Sequence, residues 1–130
     1  MQGIIMFVGS QTTGQQIAAS LPDSEFIAIR RDGIVETCHT GRIHIAIVEI
    51  TASVDDDMRT LQAVRKHCPQ ARVVALSEIL DANVIRAAMN MGSCAYLLKS
   101  PSMPDLPQVI QTVQTGKIVL STEVTLALLQ

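Results

Sequence analysis

Aromatic side chains are nearly missing from this sequence: two Phe, one Tyr and no Trp in 130 residues. A cofactor held by stacked rings would find few partners here. A basic excess is missing too, with ten Lys and Arg against twelve Asp and Glu and a net charge of −2. Nucleic acid is therefore not expected to be touched by these residues, because phosphate neutralisation needs clustered positive charge. Long hydrophobic runs are lacking. The opening run Ile4 to Val8 has no basic flank and is too short for the core of a signal peptide, and no stretch approaches the ~20 residues of a membrane span. A soluble, cytoplasmic protein without membrane contact is expected. The cysteines Cys38, Cys68 and Cys94 form no CxxC pair and no even secreted framework, so they are expected as small core side chains. His39, His44 and His67 are equally scattered, and neither a metal nor a cofactor is expected from their spacing.

What is present is apolar: 48% of the residues, enough for one core and too few residues for two. Apolar runs recur at Ile4 to Val8, Glu25 to Ile29, Ile45 to Val48, Val73 to Leu76 and Ala95 to Leu98. Four of these five are continuously apolar rather than alternating, as strands covered by helices on both faces require. Between them the spacing turns helical. Gly14, Ile17, Ala18 and Leu21 form one stripe; Met58, Leu61, Val64 and Cys68 a second; Val84, Ala88 and Met91 a third; Leu106, Ile110 and Val113 a fourth. A weaker helix spans Asp32 to Thr40. Pro22, Pro69 and Gly92 supply stops, and Ser102 is the expected N-cap of the fifth helix. The sum is a flavodoxin-like (βα)5 domain: a doubly wound parallel α/β sheet of strand order 2-1-3-4-5. In such a sheet the functional crevice lies at the carboxyl ends of the strands. That edge holds Gly9-Ser10-Gln11, Glu49-Ile50-Thr51, Ser77-Glu78 and Lys99-Ser100.

From Gly3 to about Leu129 the chain resembles the receiver domains of bacterial response regulators, in the branch carrying a LuxR-type helix-turn-helix output domain. The resemblance rests on Val73-Val74-Ala75-Leu76-Ser77, the close of helix four at Met91-Gly92, and Ala95-Tyr96-Leu97-Leu98-Lys99. In that family an aspartate ending strand three takes a phosphoryl group, two acidic residues after strand one hold Mg²⁺, and a hydroxyl and a lysine bind the phosphoryl oxygens. Ser77 matches the hydroxyl, Lys99 the lysine, and Tyr96 the aromatic that swings in signalling members.

The departures weigh more. Glu49 stands where the family has its aspartate, and Gly9-Ser10 where it has the acidic pair. Mg²⁺ loses its charged oxygens, and a carboxylate displaced by one methylene is misaligned for in-line attack, where ~1 Å can cost ~10²-fold. The resemblance with these departures implies a pseudo-receiver: a non-enzymatic, phosphorylation-independent regulatory domain of a transcription regulator in two-component signalling. Two readings of Glu49 stay open. Either its longer carboxylate reaches Ser77 and Lys99 and stands in for the phosphorylated state, or it forms an ion pair with Lys99 in a decayed pocket.

Three further features have competing explanations. The segment from Gly9 to Gly14 is similar to the phosphate loop of flavodoxins, which implies an FMN or other small-anion binder as the alternative function. Against flavin, the loops after strands three and four contain no aromatic. Asp55, Asp56 and Asp57 are read as charges complementing a helix N-terminus. Tyr96 is either a switch or a plain core aromatic.

Residues 1–116 are read as the receiver and residues 117–130 as a connector segment and helix leading to an output domain outside this chain, through which alone DNA would be reached. The chain is accordingly read as a fragment. A homodimer or a protein partner is expected on the surface of helices four and five, strand five or the connector, with Ile85 and Met89 as interface candidates. Helices one and five are the rival surface.

Overall fold

The computed structural model describes residues 3–100 and 103–130, Thr40 by its backbone alone. Six strands, β1 (Ile4–Val8), β2 (Phe26–Ile29), β3 (Ile43–Ile50), β4 (Arg72–Ser77), β5 (Ser93–Leu98) and β6 (Val119–Leu120), form one sheet in the order β2-β1-β3-β4-β5-β6. Every pairing is parallel. Six helices complete the chain: α1 (Gln11–Ser20), α2 (Ile34–Thr40), α3 (Val54–His67), α4 (Ala82–Asn90), α5 (Leu106–Gln114) and α6 (Thr122–Leu128). A 3-10 turn, Arg31–Gly33, leads into α2.

Alternation along the strands divides the core in two. Met6 and Val8 of β1, Ala46, Val48 and Ile50 of β3, and Val73 and Ala75 of β4 face α2, α3, α4 and α6. Ile5, Phe7, Ile45, Ile47, Val74 and Leu76 face α1 and α5. The continuously apolar runs are thus strands buried on both faces, as expected. The helix starts are polar: Ser10 caps α1 by accepting from the Thr13 N–H, and Asp81 caps α4 by accepting from Asn83 and Val84. Gly92 ends α4 at φ +99°, a left-handed backbone that favours glycine; a β-carbon there would also sit 2.9 Å from the Arg65 guanidinium, which would have to shift.

The expected order 2-1-3-4-5 holds, and β6, two residues long, extends it by pairing with β5 through Ala95 and Tyr96. A strand this short has no periodicity to read. Several expectations are corrected. Asp105, accepting from the Gln108 N–H, caps α5; Ser102 lies outside the described residues. On α4 the buried face is Ile85 and Ala88, while Val84 and Met91 are half-buried. Ile85 is 0% exposed, so it is core and not an interface residue, and Met89 is half-buried against the same core. The apolar stripe is one residue out of phase with the face that packs. Ala18 of α1 is exposed. In α6 Val124 is buried and Leu128 packs beside it, but Leu129 points to solvent.

Cys38 and Cys68 are core residues, as expected, but they are not independent. They form a disulfide joining α2 to the C-cap of α3, with Cα atoms 5.4 Å apart. Closing a loop across 30 residues contributes about 3.6 kcal/mol in the chain-entropy account. Next to the cysteines in sequence, the rings of His39 and His67 meet edge to face, centroids 5.5 Å apart. Cys94 is free.

Candidate functional site

The site lies at the carboxyl edge of the sheet, where β1, β3 and β5 end. Glu49 is the next-to-last residue of β3 and shares the face of Ile45 and Ile47, so its side chain turns toward α1. It is 4% exposed. One carboxylate oxygen accepts from the Ser10 N–H at 2.7 Å, at the amino end of α1. The other accepts from the Thr13 hydroxyl at 2.7 Å and from the Lys99 ammonium, with which it forms an ion pair. Lys99 also donates to the Thr13 hydroxyl at 3.1 Å, and its side chain keeps 18% of its surface. Ser10 donates to the Thr13 oxygen at 3.0 Å. Burial pushes the Glu49 carboxyl up, but the hydrogen bonds from Lys99, the Ser10 N–H and Thr13 outweigh it and hold the group below the usual carboxylate range.

Gly9 makes this arrangement possible. A β-carbon there would lie 2.6 Å from both the Glu49 Cβ and its Oε1, and 2.5 Å from the end of the Phe7 ring. The carboxylate of Glu49 and the missing side chain of residue 9 occupy one volume.

Across the sheet the picture differs. Ser77 ends β4 on the face of Val73 and Ala75, turned away from Glu49. Its hydroxyl donates to the Ile50 carbonyl at 2.8 Å and accepts from the Ile79 N–H at 2.9 Å. Tyr96, 0% exposed, donates to the Ile79 carbonyl at 2.8 Å. Burial pushes the phenol of Tyr96 up, against a lowering by the Ser77 hydroxyl and with a further rise from Asp81. The structure thus brings Gly9, Ser10, Glu49 and Lys99 together and holds Ser77 with Tyr96 in a separate cluster. Ile85 and Met89 join neither.

Thr13 was missed as a site residue. It sits between Glu49 and Lys99, one helical turn after the cap Ser10, and the capping pattern at Ser10 together with its hydroxyl type was the available signal. Asp57 was read as helix-end charge, and it has a second role. It is buried, and its carboxylate accepts from the Thr51 N–H at 2.6 Å and the Thr51 hydroxyl at 3.1 Å, bracing the loop after β3. Asp56 pairs with Arg59 at 2.9 Å on the surface.

Comparison with known proteins gives this edge its context. The chain is 27% identical over 85 residues to the transcriptional regulatory protein LnrK of Bacillus subtilis, a match covering 65% of this chain and 39% of that one. It is 23% identical over 90 residues to the response regulator protein VraR of Staphylococcus saprophyticus, covering 69% and 43%. The isolated receiver domain of RcsB from Salmonella enterica serovar Typhimurium, solved with a phosphomimetic, superposes with a TM-score of 0.81 over 98% of this chain and 99% of that one, at 15% identity. The chain has the fold of a receiver domain. No family model matches the chain. A longer structure, two RcsB dimers bound to two parallel DNAs, superposes with a TM-score of 0.83 at 14% identity and covers 98% of this chain and 68% of that one. The chain spans about two fifths of the length of the curated relatives it matches.

The Mg²⁺ that the fold family implies does not fit this edge. Gly9 and Ser10 offer no carboxylate, and both oxygens of Glu49 are engaged by an N–H, a hydroxyl and an ammonium, all donors that compete with a cation. Among the described residues no group of three or more His, Cys, Asp or Glu is placed to hold a metal. Among the described residues no helix is long and apolar enough to cross a membrane.

Proposed function

We propose that this receiver works without phosphoryl transfer, as a non-enzymatic regulatory module whose site is filled by its own carboxylate. The observation that carries the reading is the saturation of Glu49. Its two oxygens take the Ser10 N–H at the cap of α1, the Thr13 hydroxyl and the Lys99 ammonium, which are the groups an incoming phosphoryl anion would need. A carboxylate so paired is a poor nucleophile, and no acidic pair stands by to recruit a metal. Of the two roles open to Glu49, the geometry supports the resident ion pair, since the Ser77 hydroxyl is spent on Ile50 and Ile79. The same saturation speaks against FMN or a free anion at Gly9 to Gly14.

At the level of the whole protein, the likeness to LnrK and to RcsB supports a cytoplasmic LuxR-type transcription regulator that dimerises and reaches DNA through an output domain following the connector at residues 117–130. The central test is incubation with acetyl phosphate and Mg²⁺ followed by intact-mass measurement. An unmodified chain is expected. A stoichiometric phosphoryl adduct, lost in mild base, overturns the proposal. Light scattering is expected to show a dimer, and a monomer at high micromolar concentration removes that part.

A further inference from the structure

Helix α2 ends just before β3 begins and α3 just before β4, so both close at the edge of the sheet opposite Glu49. Each carries a histidine in its last turn, His39 on α2 and His67 on α3. The two follow and precede Cys38 and Cys68, whose disulfide, with Cα atoms 5.4 Å apart, fixes the backbones that bear them. Their rings stand with centroids 5.5 Å apart and planes inclined by 66°. His39 is exposed and His67 half-buried, so solvent reaches both. Neither ring is held by a hydrogen bond among the described residues. His44, the third histidine, lies elsewhere, its Nδ1 3.2 Å from the Ile4 carbonyl oxygen.

We propose that His39 and His67 form a two-histidine site for a divalent transition-metal ion of the imidazole-preferring class, zinc above all. Imidazole suits Zn²⁺, Cu²⁺ and Ni²⁺, whereas Mg²⁺ prefers oxygen. A metal bound to an imidazole nitrogen lies in the plane of the ring, so two rings that share one ion must have planes that intersect at it. Stacked rings fail this condition, and rings inclined by 66° meet it. The separation agrees. With Zn–N bonds of about 2.0–2.1 Å and a tetrahedral angle, two imidazoles on one zinc have centroids about 5 Å apart, so ligation asks for small side-chain rotations and no movement of the helices. Both histidines also sit where unpaired helix carbonyls carry partial negative charge, which favours a cation. Of the two cations in the same turn of α3, Arg65 lies against Gly92 and Lys66 opposes the bound charge. With two protein ligands and water in the remaining positions, the site holds its ion exchangeably, unlike a structural centre of three or four protein ligands. Because the disulfide already keeps α2 against α3, binding orders little chain, and the ion adds a second tie between the two helices.

The experiment titrates Zn²⁺ by calorimetry into the whole chain with its disulfide intact, carrying Cys94→Ser so that no free thiol competes. One ion per chain is expected. His39→Ala and His67→Ala should each weaken the affinity at least about tenfold, since each removes one of two protein ligands, and His44→Ala should leave it unchanged. His39→Gln and His67→Gln, which keep the bulk of the side chain, should bind as weakly as the alanine variants, which separates ligation from packing. Zinc should raise the unfolding temperature of the parent, because it binds the folded chain, and of neither variant. Excess Mg²⁺ should not displace it. Affinity retained after substitution of either His39 or His67, or lost on His44→Ala, overturns the proposal.

Discussion

Two hydroxyl-bearing clusters sit a few residues apart at the same edge of one sheet and behave differently. On the α1 side, Ser10, Thr13, Glu49 and Lys99 form a charged network. On the α3–α4 side, Ser77 and Tyr96 are bonded to backbone carbonyls and an N–H, with no charge directly attached. Strand parity separates them, because Glu49 pairs in register with Leu76 and Ile50 with Ser77, so the carboxylate and the serine leave opposite faces. In an intact site a phosphoryl group spans that gap. Here the two clusters share no side-chain bond among the described residues and meet only through the Lys99 N–H donating to the Ser77 carbonyl at 3.0 Å, so a site can keep its lysine, its hydroxyl and its aromatic while their side chains bond to different partners.

That division is most open to attack at Lys99. Lys99→Met leaves a buried carboxylate without its cation and is expected to cost about 3 kcal/mol in urea unfolding, the lower end for a buried pair because the lysine is partly wet. Adding Glu49→Gln to it should recover much of that loss. A double-mutant cycle showing no coupling between residues 49 and 99 would break the charged half of the comparison.

Thr13→Val removes the hydroxyl shared by Glu49 and Lys99 and is expected to cost about 2 kcal/mol, since both charged groups lose a partner. Ser77→Ala is expected to cost about 1 kcal/mol and to add independently to Glu49→Gln. Coupling between Ser77 and Glu49 above ~0.5 kcal/mol would show that the two clusters communicate after all.

The acid limb of stability sharpens the same contrast. Glu49 has its folded-state pKa depressed, so the stability it adds is complete above the unfolded value near 4.5 and is lost as pH falls through the lower folded value. Glu49→Gln should therefore flatten the fall in stability below about pH 4.5, while Tyr96→Phe leaves that limb unchanged. For Tyr96 the sign is opposite in pH: its raised pKa removes stability only as pH rises above 10.0, where the unfolded phenol ionises first. Tyr96→Phe should suppress that alkaline loss, and at neutral pH cost about 1 kcal/mol for the bond to Ile79.

Much of this was legible in the residues. Five apolar runs gave five strands, and the carboxyl-edge rule pointed to Gly9, Ser10, Glu49 and Lys99, which the fold does bring together. Ser77 was grouped with them because it ends its strand, although the parity that turns it away was present in the sequence as the alternation across Val73, Ala75 and Ser77. The disulfide was not legible. Thirty residues separate its ends, and nothing in composition says that α2 and α3 close side by side. The face of α4 was misread because a short helix with apolar residues at 84, 85, 88, 89 and 91 offers two overlapping stripes, and packing against α6 and β5, rather than spacing, selects Ile85.

The empty side chain at residue 9 also sets the order in which this site could ever be changed back. Installing an aspartate at Gly9 drives its β-carbon into Glu49 and the Phe7 ring, so the first step toward a metal-binding pair is unfavourable while the glutamate is in place. Shortening Glu49 to aspartate first withdraws the carboxylate from the Ser10 N–H and from Thr13, so that step is unfavourable too. Even then the shorter side chain relieves only the contact with Oε1, since the residue 49 Cβ at 2.6 Å and the Phe7 ring at 2.5 Å stay in place, so reopening the pocket needs the backbone at residue 9 or the Phe7 ring to shift as well as both substitutions.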